Sequence, residues 1–149
     1  MKIFLGTDHA GFELKEIVKK FLEMAGHEVH DMGALTYDEL DDYPDFIIPA
    51  AEAVGKDPEN TRGIVFGGSG QGEAIAANKV KGVRAALYYG HNLEIVRLSR
   101  EHNNSNVLSL GARMQTPEEA KEAVQLWLDT KFAGDRHQRR IDKISQFEG

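Results

Sequence analysis

The sequence predicts an α/β fold in which a mostly parallel sheet of about five strands is covered by helices on both faces. Short apolar segments alternate along the chain with segments whose apolar residues recur at helical spacing. Most of the strand candidates are apolar rather than alternating, which is typical of strands that are buried on both faces. Strands and helices that alternate in this way build parallel sheets between two helical layers. No repeat, linker or low-complexity tract interrupts the pattern, so residues 1–149 are expected to form a single domain.

Five short segments are the strand candidates. They cover residues 2–6, 28–31, 63–66, 83–88 and 107–111. Polar or glycine-rich residues follow three of them, namely Asp8-His9, the loop 67–72 and the segment after Tyr88. Ligands bind outside the carboxyl ends of the strands in such sheets. These three segments are therefore candidates to converge on one crevice.

Helical periodicity accounts for most of the remaining chain. Apolar residues recur at helical spacing from Phe12 to Leu22 and stop at Gly26. Pro117 occupies a favourable first position for a helix whose apolar face includes Trp127. Further helices are predicted at residues 46–54, 74–79, 93–99 and 136–147. Residues 35–44 are polar and acidic and are expected to form a loop.

Composition and charge exclude several classes of function. The formal net charge of −6 argues against nucleic acid as a partner. The chain has no cysteine, which excludes disulfides, thiolate catalysis and cysteine-type zinc sites. No apolar run approaches the length of a membrane span, and the first residues are too soon polar for a signal peptide. A cytoplasmic location without membrane partners is expected.

The most informative segment is the glycine-rich loop 67–72, between an apolar strand and an alanine-rich helix. Glycines allow successive N–H groups to point into one pocket, and the helix start adds further free N–H groups, so the loop is suited to an oxyanion. Glu73 follows the loop where a nucleotide-binding loop of this length would have Lys and then Ser or Thr. A carboxylate there suits proton abstraction beside developing negative charge. A purely structural turn is the alternative.

Two histidine-containing segments are further candidates. Asp8 and His9 follow the first strand and could orient a hydroxyl or bind a phosphate, or Asp8 could simply cap the next helix. His102 and Asn103 lie in a dense polar run at residues 100–104. An unperturbed imidazole pKa near 6.5 suits a proton shuttle, although a solvated turn explains such a run equally well.

Arginines near the end of the chain are candidates for phosphate binding. Arg136 and Arg140 lie one turn apart on the same face of the last predicted helix, where two guanidinium groups can grip a phosphate. A basic solvated helix end is the alternative. Arg113, after the last strand, is another candidate cation. Tyr43 could flank a sugar ring, although a turn aromatic is the simpler interpretation.

Together these residues suit proton transfer next to the carbonyl of a small phosphorylated substrate. Isomerisation of an aldose phosphate to a ketose phosphate needs an anion-stabilising loop, an acid that moves a proton and a phosphate clamp, and it needs no cofactor. A metal site is not expected, because the histidines show no ligand-type spacing to one another or to carboxylates.

The chain resembles the ribose-5-phosphate isomerase B family, which also contains galactose-6-phosphate and allose-6-phosphate isomerases. The resemblance covers nearly the whole chain and is carried by GTDHAGFELK at 6–15, DDYP at 41–44, GGSGQGEAIAANK at 67–79, GVRAAL at 82–87, SREHNNSNVLSLGARM at 99–114 and RHQRRID at 136–142. It implies a three-layer α/β/α Rossmann-like fold. It also implies homodimers, in some cases tetramers, whose active sites are built from two subunits.

The resemblance also implies a role for each candidate residue. Glu73 would be the base that carries the proton between C1 and C2, while Asp8 and His102 would serve ring opening. Asn103 would hold substrate oxygens, and Tyr43 would line the sugar pocket. The enediolate would be stabilised by Ser69 and by the backbone amides of Gly67, Gly68, Gly70 and Gly72. The phosphate would be bound by His9, Arg113, Arg136 and Arg140, and the partner subunit would supply His102, Asn103, Arg136 and Arg140.

The chain departs from many family members at the start of the glycine loop. Those members carry Cys-Gly-Thr-Gly there and use the cysteine as the base, whereas this chain has Gly67 and Ser69 at the matching positions. It resembles the branch of the family in which a glutamate at the helix start serves as the base in place of the cysteine. The helix start and nearby cations are expected to keep Glu73 ionised, while partial burial raises its basicity.

The implied activity is interconversion of ribose 5-phosphate and ribulose 5-phosphate in the pentose phosphate pathway. Besides a purely structural oligomer, which would leave the glycine loop unexplained, two alternatives remain at this stage. One is an isomerase for galactose 6-phosphate, allose 6-phosphate or a tetrose phosphate. The other is a non-catalytic flavodoxin-like phosphate-binding module, against which Glu73 and the lack of a ribose-binding acid after the second strand both argue.

Overall fold

The computed structural model describes residues 1–149 and contains one five-stranded sheet and six α-helices. The strands are β1 (Lys2–Thr7), β2 (Glu28–Asp31), β3 (Thr61–Gly67), β4 (Ala85–Tyr88) and β5 (Val107–Gly111). The helices are α1 (Phe12–Met24), α2 (Pro44–Lys56), α3 (Gln71–Asn78), α4 (Leu93–Glu101), α5 (Pro117–Asp129) and α6 (Arg136–Glu148). Every predicted strand and helix is present, and the α/β prediction is confirmed.

The element bounds differ from prediction mainly around glycines. Helix α3 begins at Gln71, three residues before the predicted start, because Gly70 takes a left-handed conformation (φ 83°) and turns the chain directly into the helix. This places Glu73 in the first helical turn. Strand β4 begins two residues late, because the Val83 N–H donates to the Val80 carbonyl within a turn that includes Gly82 (φ 85°).

All strand pairs in the sheet are parallel, and the strand order is β2-β1-β3-β5-β4. The chain builds β2 on one side of β1 and then crosses to place β3 on the other side. Such a reversal opens a crevice at the carboxyl ends of the strands on either side of it. The segments that follow β1 and β3 therefore meet, and β5 brings a third segment beside β3.

Helices cover both faces of the sheet, as expected for a three-layer fold. Alternate residues of β3 enter different buried clusters: Ile64 and Phe66 pack with residues of α1, α4 and α5, whereas Val65 packs with residues of α2 and α3. This period of two is the geometry of a strand buried on both sides. Trp127 is fully buried in the first cluster, and its indole N–H donates to Ser105 Oγ at 2.8 Å. None of the helices is long and apolar enough to cross a membrane.

Candidate active site

A cavity of about 410 Å³ opens at the carboxyl ends of β1, β3 and β5. Its lining consists of Asp8, His9, Ala10, Tyr43, Gly68, Ser69, Gly72, Glu73, Arg113 and Met114. The segment after Tyr88, a sequence candidate for the same crevice, does not line this cavity. It follows β4, the edge strand, and β5 separates β4 from β3. Arg113 and Met114, which follow β5, line the cavity instead.

The glycine loop presents free backbone donors to the cavity. Its carbonyl groups are held by the segment after β5: the Gly67 carbonyl accepts from the Ala112 N–H at 2.7 Å, and the Gly68 carbonyl accepts from the Arg113 N–H at 3.0 Å. The N–H groups of Gly68 and Ser69 donate to no acceptor within the protein. A rigid loop with unused N–H groups is a preorganised site for an oxyanion.

Two glycines of the loop also make room for neighbouring side chains. A β-carbon on Gly72 would lie 2.7 Å from the ring of Tyr43, and one on Gly68 would lie 3.3 Å from the guanidinium of Arg113. Glycine at these positions therefore lets an aromatic ring and a cation approach the loop backbone closely. Gly67 and Gly70, which were also predicted to bind substrate, do not line the cavity. Ser69 Oγ accepts from the Gln71 N–H at 3.3 Å, which leaves its hydroxyl hydrogen free to donate.

Glu73 is almost fully buried, with 4% of its surface exposed, and its carboxylate lies against Gly67. A β-carbon on Gly67 would fall 1.4 Å from Glu73 Oε1, so the carboxylate occupies the space of the missing side chain. Burial raises the pKa of Glu73, and the neighbouring Asp8 raises it further, against hydrogen bonds from the Glu73 and Gly70 N–H groups. Within one chain, the only neighbouring charge that shifts the pKa of Glu73 is this second carboxylate, and the expected effect of nearby cations stays a prediction.

Asp8 and His9 occupy the turn between β1 and α1. Asp8 is buried, and its Oδ1 accepts from the Ala10 N–H at 2.9 Å, so it caps the 3-10 turn His9–Gly11 while it lines the cavity. His9 Nδ1 lies 2.7 Å from Asp41 Oδ1. That hydrogen bond raises the pKa of His9, against the effect of partial burial.

Sequence reasoning missed Asp41, which holds His9 but does not line the cavity. The available signal was its place in the DDYP motif at 41–44, directly before Tyr43. Asp8, His9 and Asp41 also place three ligand-type atoms within 4.8 Å of one another. A metal ion there would have to compete with the His9–Asp41 and Asp8–Ala10 hydrogen bonds, so the three residues are better described as a hydrogen-bonded group. The absence of a metal site stays a prediction.

The remaining site candidates form a second group near the amino ends of the strands. Helix α4 begins beyond the carboxyl end of β4 and runs back, so that His102 and Asn103 lie beside the amino ends of the strands. The Arg84 side chain fixes this loop there by donating to the Asn104 carbonyl at 2.8 Å. His102 and Asn103 line a separate cavity of about 710 Å³ between β4, α4 and α6.

Helix α6 begins next to His102. The rings of His102 and His137 stack with their centroids 4.3 Å apart and an interplanar angle of 13°. Burial lowers the pKa of His137, and His102, Arg136 and Arg140 lower it further, so both arginines belong to this second group. Within one chain, His102, Asn103, Arg136 and Arg140 are therefore gathered together but are separate from Glu73.

Comparisons with known proteins give one consistent result. A family model described as Ribose/Galactose Isomerase matches residues 3–144. The protein named ribose-5-phosphate isomerase B from Mycolicibacterium paratuberculosis is 48% identical over 149 residues, which cover 99% of this chain and 92% of that protein.

Solved structures give the same answer. Ribose-5-phosphate isomerase B from Mycoplasma genitalium, solved with bound ribulose-5-phosphate, superimposes with a TM-score of 0.95 at 43% identity, covering 99% of this chain and 95% of that one. The Clostridium thermocellum enzyme of the same name superimposes with a TM-score of 0.93 at 45% identity, covering 99% and 97%. Both values indicate the same fold over the full chain.

Proposed function

The chain belongs to the ribose/galactose isomerase family, and from this premise we propose that it interconverts ribose 5-phosphate and ribulose 5-phosphate. The reaction is an aldose–ketose isomerisation. It needs no cofactor, because a proton moves between neighbouring carbons and no electrons leave the sugar. This is the isomerisation step of the pentose phosphate pathway.

The observation that supports this proposal most directly is the contact between Glu73 and the glycine loop. A buried carboxylate with a raised pKa lies beside two unused backbone N–H groups, those of Gly68 and Ser69. A base and an oxyanion site in one small cavity are the two parts that an enediolate mechanism requires.

In the proposed mechanism, Glu73 removes the proton from C2 of the open-chain aldose and leaves an enediolate. The N–H groups of the loop and the Ser69 hydroxyl stabilise the charge on the substrate oxygen, a proton is redistributed between O1 and O2, and Glu73 returns its proton to C1. The raised pKa suits this role, because a stronger base takes the proton more readily while remaining able to give it back.

The other cavity residues are assigned by their positions. Asp8 lies close enough to Glu73 to shift its pKa, so we assign it to proton transfer during ring opening. Tyr43, whose ring covers Gly72, lines the sugar pocket. His9 and Arg113 supply positive charge at the cavity wall for the phosphate.

We propose that the second group completes the site of a partner subunit. Glu73 lies at the carboxyl ends of the strands and His102 at their amino ends. The two are therefore separated by about the length of a strand, which for the 5 residues of β5 is about 17 Å. One chain therefore cannot bring both residues to the same small sugar. In a homodimer, His102 would join Asp8 in ring opening, Asn103 would hold substrate oxygens, and Arg136 and Arg140 would bind the phosphate.

The surface around the second group suits such an interface. The larger cavity is lined by apolar residues that remain exposed in the single chain, including Ile95 (49% exposed) and Ile144 (56% exposed). Strand β4 is an edge strand beside it. Exposed apolar surface that continues into a polar site is typical of an oligomer interface. We propose a homodimer as the smallest active unit.

A substrate panel tests the proposed activity. The purified protein is assayed for aldose–ketose interconversion with ribose 5-phosphate, galactose 6-phosphate, allose 6-phosphate and a tetrose phosphate, without added metal or cofactor. The highest kcat/KM is expected with ribose 5-phosphate. The Glu73→Gln variant, purified in the same way, controls for contaminating isomerases. A clear preference for another sugar, or equal residual activity in the variant, would refute the assignment.

We also propose that the protein acts in the cytoplasm, where a charged sugar phosphate is retained because it does not cross membranes unaided. Fractionation of the source cells, followed by an isomerase assay of each fraction, tests this location.

A further inference from the structure

The contact between Asp41 and His9 is built from two hydrogen bonds to one carboxylate oxygen. Asp41 Oδ1 accepts from the His9 backbone N–H at 2.9 Å and lies 2.7 Å from His9 Nδ1. The Asp41 side chain is 8% exposed and that of His9 is 25% exposed. One acid therefore fixes both the main chain and the ring of His9, and solvent competes little for the contact.

The arrangement sets the orientation of the imidazole. Because Nδ1 faces Asp41, Nε2 lies on the opposite edge of the ring. His9 lines the small cavity and Asp41 does not, so the ring lies between the acid and the cavity. The ring of Tyr37 packs edge-on against His9 with centroids 6.3 Å apart, and Tyr37 in turn packs against Phe12 at 6.1 Å. These aromatic contacts restrict rotation of the ring.

The second oxygen of Asp41 indicates which charge state of His9 fits. Oδ2 is inaccessible to solvent and has no hydrogen-bond partner. A buried carboxylate with an unpaired oxygen is costly unless a positive charge lies beside it. The charged groups that act on His9 are Asp41, Asp8 and Arg113, and the two acids favour the imidazolium against the single cation. The hydrogen bond from the His9 ring to the Asp41 carboxylate has the largest of these effects.

We propose that Asp41 is a positioning residue that holds His9 as an imidazolium whose Nε2–H is presented to the phosphate of the substrate. The proposal extends the function proposed above. A sugar phosphate carries close to two negative charges at neutral pH, because its second pKa lies near 6. A fixed, charged N–H donor binds such a group more tightly than a neutral imidazole that can rotate.

The charge state of His9 is tested first, without reference to catalysis. The ring resonances of His9 are followed by NMR from pH 5 to 9 in the native protein and in the Asp41→Asn variant. The native midpoint is expected above the usual value near 6.5, and the variant midpoint is expected to fall toward that value. Asp38→Asn is the matched control. It makes the same change in the same loop at an exposed residue. Asp38 Oδ1 accepts a hydrogen bond from the Leu40 N–H, and an asparagine side chain can accept the same bond.

Inorganic phosphate is added in the same titration as a probe. In the native protein, phosphate should raise the His9 midpoint further, and in Asp41→Asn this response should be weaker. Equal midpoints in the native protein and Asp41→Asn would overturn the proposal. If Asp41→Asn does not fold, a native midpoint at or below 6.5 would overturn it as well.

Steady-state kinetics then separate positioning from a general loss of structure. Asp41→Asn should raise KM for ribose 5-phosphate on the order of 10-fold, with a much smaller change in kcat, because the lost interaction binds the phosphate in all bound states. Binding should weaken as the pH rises through the His9 pKa, and in the variant this should happen at lower pH. A change in kcat alone would refute the role. If the native protein does not isomerise the sugar, the proposed function fails, and the NMR titration still decides the role of Asp41.

Discussion

The carboxylate of Glu73 occupies the position that a side chain on residue 67 would take, since a β-carbon on Gly67 would fall 1.4 Å from Glu73 Oε1. Family members that use a cysteine base carry it at the position matching Gly67. A cysteine at residue 67 would therefore place its side chain where this chain has the Glu73 carboxylate, one reaching from the end of β3 and the other from the first turn of α3. A side chain at residue 67 would require the Glu73 carboxylate to leave its present position.

Exchanging the two positions should transfer the base. Glu73→Ala should inactivate the protein, and Gly67→Cys added to Glu73→Ala should recover at least about 10-fold of the lost kcat, because the thiolate enters the vacated space. The chain contains no other cysteine, so loss of the regained activity on iodoacetamide treatment identifies the thiol. Gly67→Cys with Glu73 retained is the control and should be unstable or inactive. No recovery in the double variant would contradict the shared position.

Glu73→Gln should remove the proton carrier and leave substrate binding largely intact. A loss of about 10²–10⁴-fold in kcat is expected, with little change in KM, because general base catalysis contributes a factor of this size. Steady-state kinetics with ribose 5-phosphate provide the measurement. Glu23→Gln, at an exposed position of α1 outside the cavity, is the matched control. A Glu73→Gln variant with native turnover would remove the base assignment.

The same substitution should stabilise the folded protein at neutral pH. Because the pKa of Glu73 is raised in the folded state, the native protein loses stability as the pH rises from the unfolded value near 4.5 through the folded value. Glutamine does not ionise, so Glu73→Gln avoids this loss. Its advantage in free energy of unfolding should be absent near pH 4 and should appear at pH 7 to 8, where a gain of about 1 kcal/mol would raise Tm by roughly 2–4 °C. Urea unfolding at both pH values measures it, and a variant less stable than the native protein at pH 8 would contradict the pKa direction.

Mixing two inactive variants should restore activity if the sites are shared. Glu73→Gln and His102→Gln each damage every site in their own dimers. In an equal mixture that exchanges subunits, about half of the dimers are mixed, and each of those holds one site with neither substitution. Activity should therefore rise to about a quarter of the native value. Sedimentation of the native protein should show a dimer or a larger oligomer. A mixture no more active than its components would place His102 outside the site.

Arg136→Ala and Arg140→Ala should each raise KM for ribose 5-phosphate by about 10-fold, with a smaller effect on kcat, because each removes a charged donor to the phosphate. Arg139→Ala is the control, since Arg139 lies opposite the buried face of α6 that contains His137 and Ile141. Initial rates over a range of substrate concentrations give both constants. An unchanged KM in both variants would argue against a phosphate clamp on this helix.

Much of the fold followed from local patterns in the sequence. Strand β5 was predicted with its observed bounds, and the start of α5 at Pro117 was predicted as well, because apolar runs and helix-start residues report on their immediate neighbours. The start of α3 was predicted three residues late. The alanine-rich pattern is clear only from Ala74, whereas the turn at Gly70 depends on a backbone conformation that many glycines do not adopt.

Some residues of the candidate site were likewise predicted from local patterns, and others were not. The glycine loop, Glu73 and the Asp8-His9 pair were predicted from their residue types and from their places after strands, and the structure brings them to one cavity. Asp41 was missed because it lies 32 residues from His9 in a loop whose course is not set by any periodic pattern.

The sequence by itself determined which segments become strands and helices and which polar residues follow them, because hydrophobic period and backbone preference act over a few neighbouring residues. The order of the strands was decided only in the tertiary structure. That order puts Arg113 rather than the segment after Tyr88 beside the glycine loop. The packing of α4 back along the sheet leaves His102 and Glu73 at opposite ends of the strands. The physical reason is that these relationships depend on packing between distant segments, which no local pattern encodes.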